Sequence, residues 1–398
     1  MEFSDNAMSA ILLCSYIGIK SDDVLRPLSL GEWNNLLEKL KEDDKEPEIV
    51  LHNELNQLKT MRFSNQYIDR IQGLVSRGGS IAFELDDLSQ KGIKVVTIFD
   101  EDYPVLIKRK LKKKIPPVLF YAGDIKLAKK IGIAVVGSRN VDQDGIDFTK
   151  KLVEKASKEK LIIYSGGAKG VDSISEKTAI NAGGAVVSFL ADSLLSRIKK
   201  KEILDSIMQG KMLLISDVKP DLGFNAARAM NRNKYIYASA YGAFVIASDY
   251  NKGGTWTGAL EAIRNQWTKT LVWNHKEYSG NQKLIEKGGI AYQLSDEKIY
   301  DVITKKEVTY EQMNIFSKAL MPIVEEKKEH AYSSEIDSVT EDIYHYVKYY
   351  IAEHIGEGMD VNDASRNFNV TKGQMAVWLK RLCADNILEC KQGIYSKM

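Results

Sequence analysis

The sequence predicts an α/β protein, a doubly wound parallel sheet with additional modules at both ends of the chain. Three observations predict it. Between Ile131 and Asp172, two short apolar runs, Ile133–Val136 and Leu161–Tyr164, each break into a turn of small residues. A helical pattern with Phe148, Leu152 and Ala156 on one face lies between them, which makes a strand–turn–helix–strand unit. Apolar runs then alternate with helical patterns as far as Trp273. Near residues 90 and 305 the patterning changes, to helix-only in front and charge-rich behind.

Bulk composition narrows the class. At 398 residues the chain is too long for one ordinary core, so two or three domains are expected. No apolar run reaches the length of a membrane span, and the start lacks a basic-then-apolar leader, which points to the cytoplasm and away from membranes. Cys14, Cys383 and Cys390 have no metal-ligand spacing, so neither a disulfide nor a metal site is expected. A net charge of +2 does not announce nucleic acid, so any such binding must come from local patches.

The front domain, residues 1–90, reads as helical, with Ala10–Ile17 apolar and Leu30–Leu40 amphipathic. The core domain, residues 91–305, opens on the strand Val95–Phe99 and the basic run Lys108–Lys114, six cations in seven residues. Such a run is either a solvated face or a contact to a nucleic-acid backbone. Ile115–Asp124 is extended, its two prolines excluding helix. After the opening unit come the strands Ala185–Leu190, Met212–Val218, Gly242–Ser248 and Thr270–Trp273, separated by helices over Val171–Ala182, Phe224–Ser239 and Thr257–Gln266. Residues 306–335 read as a charged linker. The last domain, residues 336–398, shows a capping box at Ser338–Glu341 before Ile343, Val347 and Ile351, a short helix over Asp360–Phe368, a third helix opening at Thr371 and a hairpin turning at Gln392-Gly393. Three helices followed by a hairpin is the winged-helix order, which serves DNA contact and protein docking alike.

The chemistry concentrates at turns. Gly137-Ser138-Arg139 and Ser165-Gly166-Gly167-Ala168-Lys169-Gly170 are expected side by side at the carboxyl ends of neighbouring strands, where such sheets bind ligands. Glycines let the backbone approach an anion, and Arg139 and Lys169 add positive charge. A third glycine-rich turn, Lys252–Gly258, opens a helix at the same edge, and Arg228, Arg232 and Lys234 precede the fifth strand of the alternation. Trp256 is read as core packing against a competing role in base stacking. The chemistry on offer is phosphate capture, with no nucleophile paired to a base.

The order PPVLFYAGD, AVVGSRN, YSGGAKGVDSISEKTAI, MNRNKYIYASA and KGGTWTGALEA, followed by GNQKLIEKGGIAY, resembles the DprA/Smf family of DNA-processing proteins over residues 95–305. The resemblance implies an extended Rossmann-like core that binds single-stranded DNA without catalysis or cofactor, forms homodimers and helps load a RecA-type recombinase during transformation. Carried over by position, it implies a DNA-phosphate site of Gly137, Ser138, Arg139, Ser165, Gly166, Gly167, Lys169 and Gly170, with Arg232, Asn233, Lys234, Gly253, Gly254 and Thr255. Lys169 and Lys234 stand where the family usually has arginine, keeping the charge but losing the planar fork. Two other functions compete. One is a DNA-binding regulator, antitoxin or phage-defence component reading duplex DNA through the last domain. The other is a nucleotide sensor or nucleoside-monophosphate hydrolase, with Glu261 as its carboxylate.

Overall fold

A computed structural model describes residues 3–19, 23–52, 56–305 and, in the C-terminal part, 351, 355, 358–368, 372–385, 387–391 and 393–397. They fall into two compact units, Met1–Val308 and Thr309–Met398. The expected linker 306–335, the capping box at Ser338–Glu341, and Ile343, Val347, Thr371 and Gln392 lie outside the described residues.

The first unit begins with the helices α1 (Asp5–Cys14), α2 (Leu30–Glu42), α3 (Asn56–Thr60), α4 (Asn65–Val75) and α5 (Gly78–Gln90). In α2 the period of Trp33, Leu36 and Leu40 buries one face, and Ser29 and Glu32 form a reciprocal capping box at its start. Partial burial pushes the Glu32 carboxyl up, but hydrogen bonds from Arg70 and from the backbone and hydroxyl of Ser29 outweigh it and hold the pKa at about 2. A carboxylate with a depressed folded pKa stabilises the fold above its unfolded value and loses that contribution as pH falls through the folded one. Glu32→Gln is therefore expected to lower the melting temperature modestly at pH 7. In a thermal-melt series the gap to wild type should close between about pH 4.5 and pH 2.

The sheet consists of β1 (Lys94–Thr97), β2 (Val118–Ala122), β3 (Gly132–Val136), β4 (Ile162–Ser165), β5 (Val186–Phe189), β6 (Met212–Ser216), β7 (Gly242–Val245), β8 (Lys269–Trp273) and β9 (Ile290–Tyr292). Their order is β1-β2-β6-β5-β4-β3-β7-β8-β9. From β6 to β9 all neighbours are parallel. β2 joins β6, and β1 joins β2, antiparallel, so one edge departs from the parallel sheet expected. β9, within the GNQKLIEKGGIAY segment, adds a short parallel strand at the opposite edge.

The connecting helices are α6 (Val105–Leu111), α7 (Gln143–Lys158), α8 (Val171–Asn181), α9 (Leu194–Ile198), α10 (Lys201–Met208), α11 (Ala226–Ser239), α12 (Gly253–Arg264), α13 (Ser279–Glu286) and α14 (Ile299–Thr304). Alternation along β3 sorts the core into two layers. Ile133 and Val135 pack with Phe148, Leu152 and Ala156 of α7 and with the front helices. Ala134 and Val136 pack with Tyr235 and Ile236 of α11 and Ala259 of α12. Trp256 is buried in that second layer, the core role the sequence favoured. The basic run is largely absorbed by the fold. Lys108 donates to the Ile98 carbonyl at 2.8 Å and Lys110 to that of Ala240 at 2.6 Å. Lys113 pairs with Glu38 at 2.6 Å and Lys114 with Glu261 at 2.8 Å.

In the second unit, α15 (Val361–Asn367), α16 (Lys372–Ala384) and the antiparallel pair β10 (Leu388–Lys391) and β11 (Ile394–Lys397) surround their own core of Ile351, Met375, Trp378, Leu379 and Leu382.

A candidate nucleic-acid cleft at the carboxyl edge of the sheet

Strand order reverses between β3 and β7, and the turns leaving β3, β4 and β7 meet at that switch point. The meeting is fixed by backbone bonds. Ser138 N donates to the Ala247 carbonyl at 2.9 Å, and Val171 N to that of Ser138 at 3.3 Å. A side chain on Gly137 would place its Cβ 2.5 Å from Val171 Cγ2, so glycine here lets the start of α8 close on β3. Asn233 Nδ2 on α11 donates to the Gly254 carbonyl at 3.2 Å and ties that helix to the first turn of α12. No side chain caps α12 at Lys252, so hydrogen-bond donors of its first turn remain available to a ligand.

These elements enclose a cleft of about 430 Å³ lined by Gly137, Ser138, Arg139, Arg232, Asn233, Gly253, Gly254 and Thr255, together with Asp172 and Phe224. Its centre is Arg232. The side chain is 6% exposed, and its Nε and Nη1 are buried without a hydrogen-bond partner. Nη1 lies against the Cα of Gly166, where a Cβ would come within 1.5 Å of it. Burial lowers the guanidinium pKa, while the negative field of Asp172, Glu176, Asp192 and Asp217 raises it. Burial in turn raises Asp172, opposed by Arg232 and by the amides of Ala168 and Gly166. It also raises Glu176, opposed by a 2.7 Å hydrogen bond from the Ser188 hydroxyl. The arrangement is a partly compensated buried cation with donors left over, and an anion is what such a group accepts.

The other expected site residues are divided. Ser165 is fully buried at the end of β4, beneath the cleft. Gly166 forms the wall behind Arg232, and Gly170 packs against the β3 turn. Gly167 and Lys169 line a neighbouring cleft, where Arg197 Nη2 donates to the Gly167 carbonyl at 2.5 Å. Lys234 lines a third cleft on the opposite side of α11. Glu261 lies outside the central cleft and pairs with Lys114. Sequence reasoning missed Asp172 and an apolar rim. Phe224 is 57% exposed with Arg139 Cζ 5.5 Å from its ring centre, and Met230, also lining the cleft, is about half exposed. Large apolar residues in a stretch of otherwise polar residues were the available signal.

Fold and cleft together define a doubly wound α/β protein with a cleft holding a buried arginine at its switch point. The chain belongs to the DNA recombination-mediator protein A family, whose model matches residues 94–304, and the DprA/Smf resemblance holds. It is 27% identical over 227 residues to the DNA processing protein DprA of Bacillus subtilis (strain 168), covering 56% of this chain and 75% of that one. Over 176 residues it is 28% identical to the DNA processing protein DprA of Streptococcus pneumoniae (strain ATCC BAA-255 / R6), covering 43% of this chain and 61% of that one. The X-ray structure of DprA from Streptococcus pneumoniae superposes with a TM-score of 0.54 at 20% identity, over 73% of this chain and 95% of that chain, a likeness of fold. Among the described residues no cluster of side chains is suited to a metal ion, and no helix is long and apolar enough to cross a membrane.

Proposed function

We propose that the chain is a DNA-processing protein that holds single-stranded DNA by its phosphates in the central cleft, as a binder and not a catalyst. The observation that carries this reading is Arg232, buried beside a glycine turn with two guanidinium nitrogens unpartnered. A phosphate supplies the missing acceptors, Arg139 supplies a second charge at the rim, and the first turn of α12 supplies further donors. Lys169 continues the positive track next door. The rim residues Phe224 and Met230 offer apolar faces for unstacked bases, which a duplex keeps stacked.

The same reading takes residues 1–90 as a helical domain, 91–305 as the Rossmann-like core and 336–398 as a winged-helix module. Its described helix α16 exposes Lys372, Lys380 and Arg381 while burying Met375 and Trp378. That surface suits DNA or a RecA-type recombinase, and homodimers formed through the core would place two clefts on one strand. Fluorescence anisotropy with a labelled single strand and its duplex at two salt concentrations tests the central claim. Tighter single-strand binding that weakens steeply with salt is expected. Duplex preference would favour a regulator acting through the last module, and no binding to either would overturn the reading.

A further inference from the structure

Helix α11 presents a second polar face. Successive residues of a helix are turned by about 100°. Arg232 and Asn233 line the central cleft, while Asn231 and Lys234 are turned to the other side and, with Tyr235 and the long side chain of Arg228 one turn before Arg232, line a different one. There they line a separate cleft of about 530 Å³ between the front helices and the antiparallel edge of the sheet. Lys234 is only 8% exposed, yet its partner is the neutral Asn231 Oδ1 at 2.8 Å. Arg228 donates from Nη2 to the Gly223 carbonyl at 2.8 Å and keeps a buried Nε without a partner. The carboxylate in the cleft, Asp217, accepts from the Tyr235 hydroxyl at 2.7 Å, and Lys219 is paired with Glu84 at 2.9 Å. Two cations thus stand on one wall without a carboxylate in ion-pair contact among the described residues. The facing wall is apolar, formed by Leu28, Leu30, Pro116 and Pro117, with Tyr16 half exposed at the mouth.

We propose that this second cleft binds a nucleoside monophosphate, its phosphate on Arg228 and Lys234 and its base against the proline and leucine wall. Arg228 and Lys234 lack an ion-paired carboxylate, and only the longer-range field of Asp217 and Glu261 offsets Lys234, so the pair suits a phosphate anion. The flat apolar wall takes a ring face, and the Asn231 amide and Asp217 carboxyl offer polar contacts to the ring edge or ribose. The volume falls within the roughly 300–1,000 Å³ of small-molecule sites. This site is independent of the single-strand reading, since it shares no lining residue with the central cleft.

Isothermal titration calorimetry of the full chain tests it, with adenosine, guanosine, cytidine and uridine monophosphates and inorganic phosphate as separate probes. At least one nucleotide should bind once per chain with a submillimolar Kd, and inorganic phosphate at least about tenfold more weakly. Saturating oligothymidylate should leave that affinity unchanged. Arg228→Gln should weaken it about tenfold or more, with Tyr16→Ala, a surface change, reporting on the base end. Silence with every nucleotide, phosphate binding as tightly as the nucleotides, displacement by oligothymidylate, or unchanged affinity in both variants would each overturn the proposal. If oligothymidylate itself does not bind, the single-strand reading fails while the two variants still decide this one.

Discussion

Arg232→Ala is expected to weaken single-strand binding by about 10- to 100-fold, because hydrogen bonds to charged groups are worth roughly 1.5–3 kcal/mol and no other side chain in the cleft combines its burial with two unpartnered donors. The log–log salt slope should fall by about one, as for the loss of one phosphate contact. Two companions separate position from charge. Arg232→Lys keeps the charge without the fork and should fall between wild type and alanine. Gly166→Ala leaves every charge in place, but its Cβ would meet Nη1 at 1.5 Å, so a flexible side-chain end must move. It should lose affinity nearly as alanine does while melting close to wild type. Unchanged binding in all three variants would dismiss the cleft as the single-strand site.

The same substitution carries a stability signature. Asp172 and Glu176 already have raised pKa values from burial, and Arg232 opposes both the Asp172 shift and, through its field, the charge cost of the pair. Without Arg232 the carboxyls rise further. An acid whose folded pKa lies above its unfolded value favours the fold when protonated and loses that contribution as pH rises through the folded pKa. The melting-temperature gap between Arg232→Ala and wild type should therefore widen as pH rises from the carboxylate range toward neutrality. A gap that is constant with pH would mean that the carboxylates do not feel the guanidinium.

The second large effect is expected at Gly170. Its φ of 75° and ψ of −132° lie in a region that only glycine occupies at low cost. A Cβ there would lie 2.3 Å from the Ser138 carbonyl oxygen and 2.6 Å from that of Arg139, both backbone atoms. Backbone strain of about 1–3 kcal/mol and overpacking of about 1–3 kcal/mol place Gly170→Ala at roughly 2–6 kcal/mol. Because the clash is with the β3 turn itself, any molecules that fold should also bind single strands poorly. Chemical denaturation and anisotropy on the same preparation check both parts. A variant with wild-type stability would show that the two turns are not packed as described.

Much of this was legible in local pattern, and the reason is physical. A period of two in short apolar runs, a period of 3.6 between them and glycine where the chain must turn are properties of neighbouring residues. They located the parallel strands β3 to β8 and the turns at Gly137, Gly166 and Gly253. They could not give the direction of β1 and β2, because a strand's alternation is the same in a parallel and an antiparallel pair. They also could not tell a nucleic-acid contact from a fold contact in the Lys108–Lys114 run. Charge density is visible in sequence, but Glu38 and Glu261, which take up two of those lysines, are far away along the chain.

The site shows the same division. Sequence by itself determined the doubly wound class, the turns that converge and the cationic character of their edge, since each follows from residue type and short-range spacing. Only the tertiary structure decided how Arg232, Asn233 and Lys234 are used. Adjacent on the chain, they are turned by about 100° each on a helix, so the first two serve the central cleft and Lys234 a different one. It also decided that Arg232 is buried against Gly166, a contact between residues 66 positions apart, and that Trp256 is core while Phe224 is rim. Burial and charge compensation depend on what other segments bring to the same place, and no local pattern carries that information.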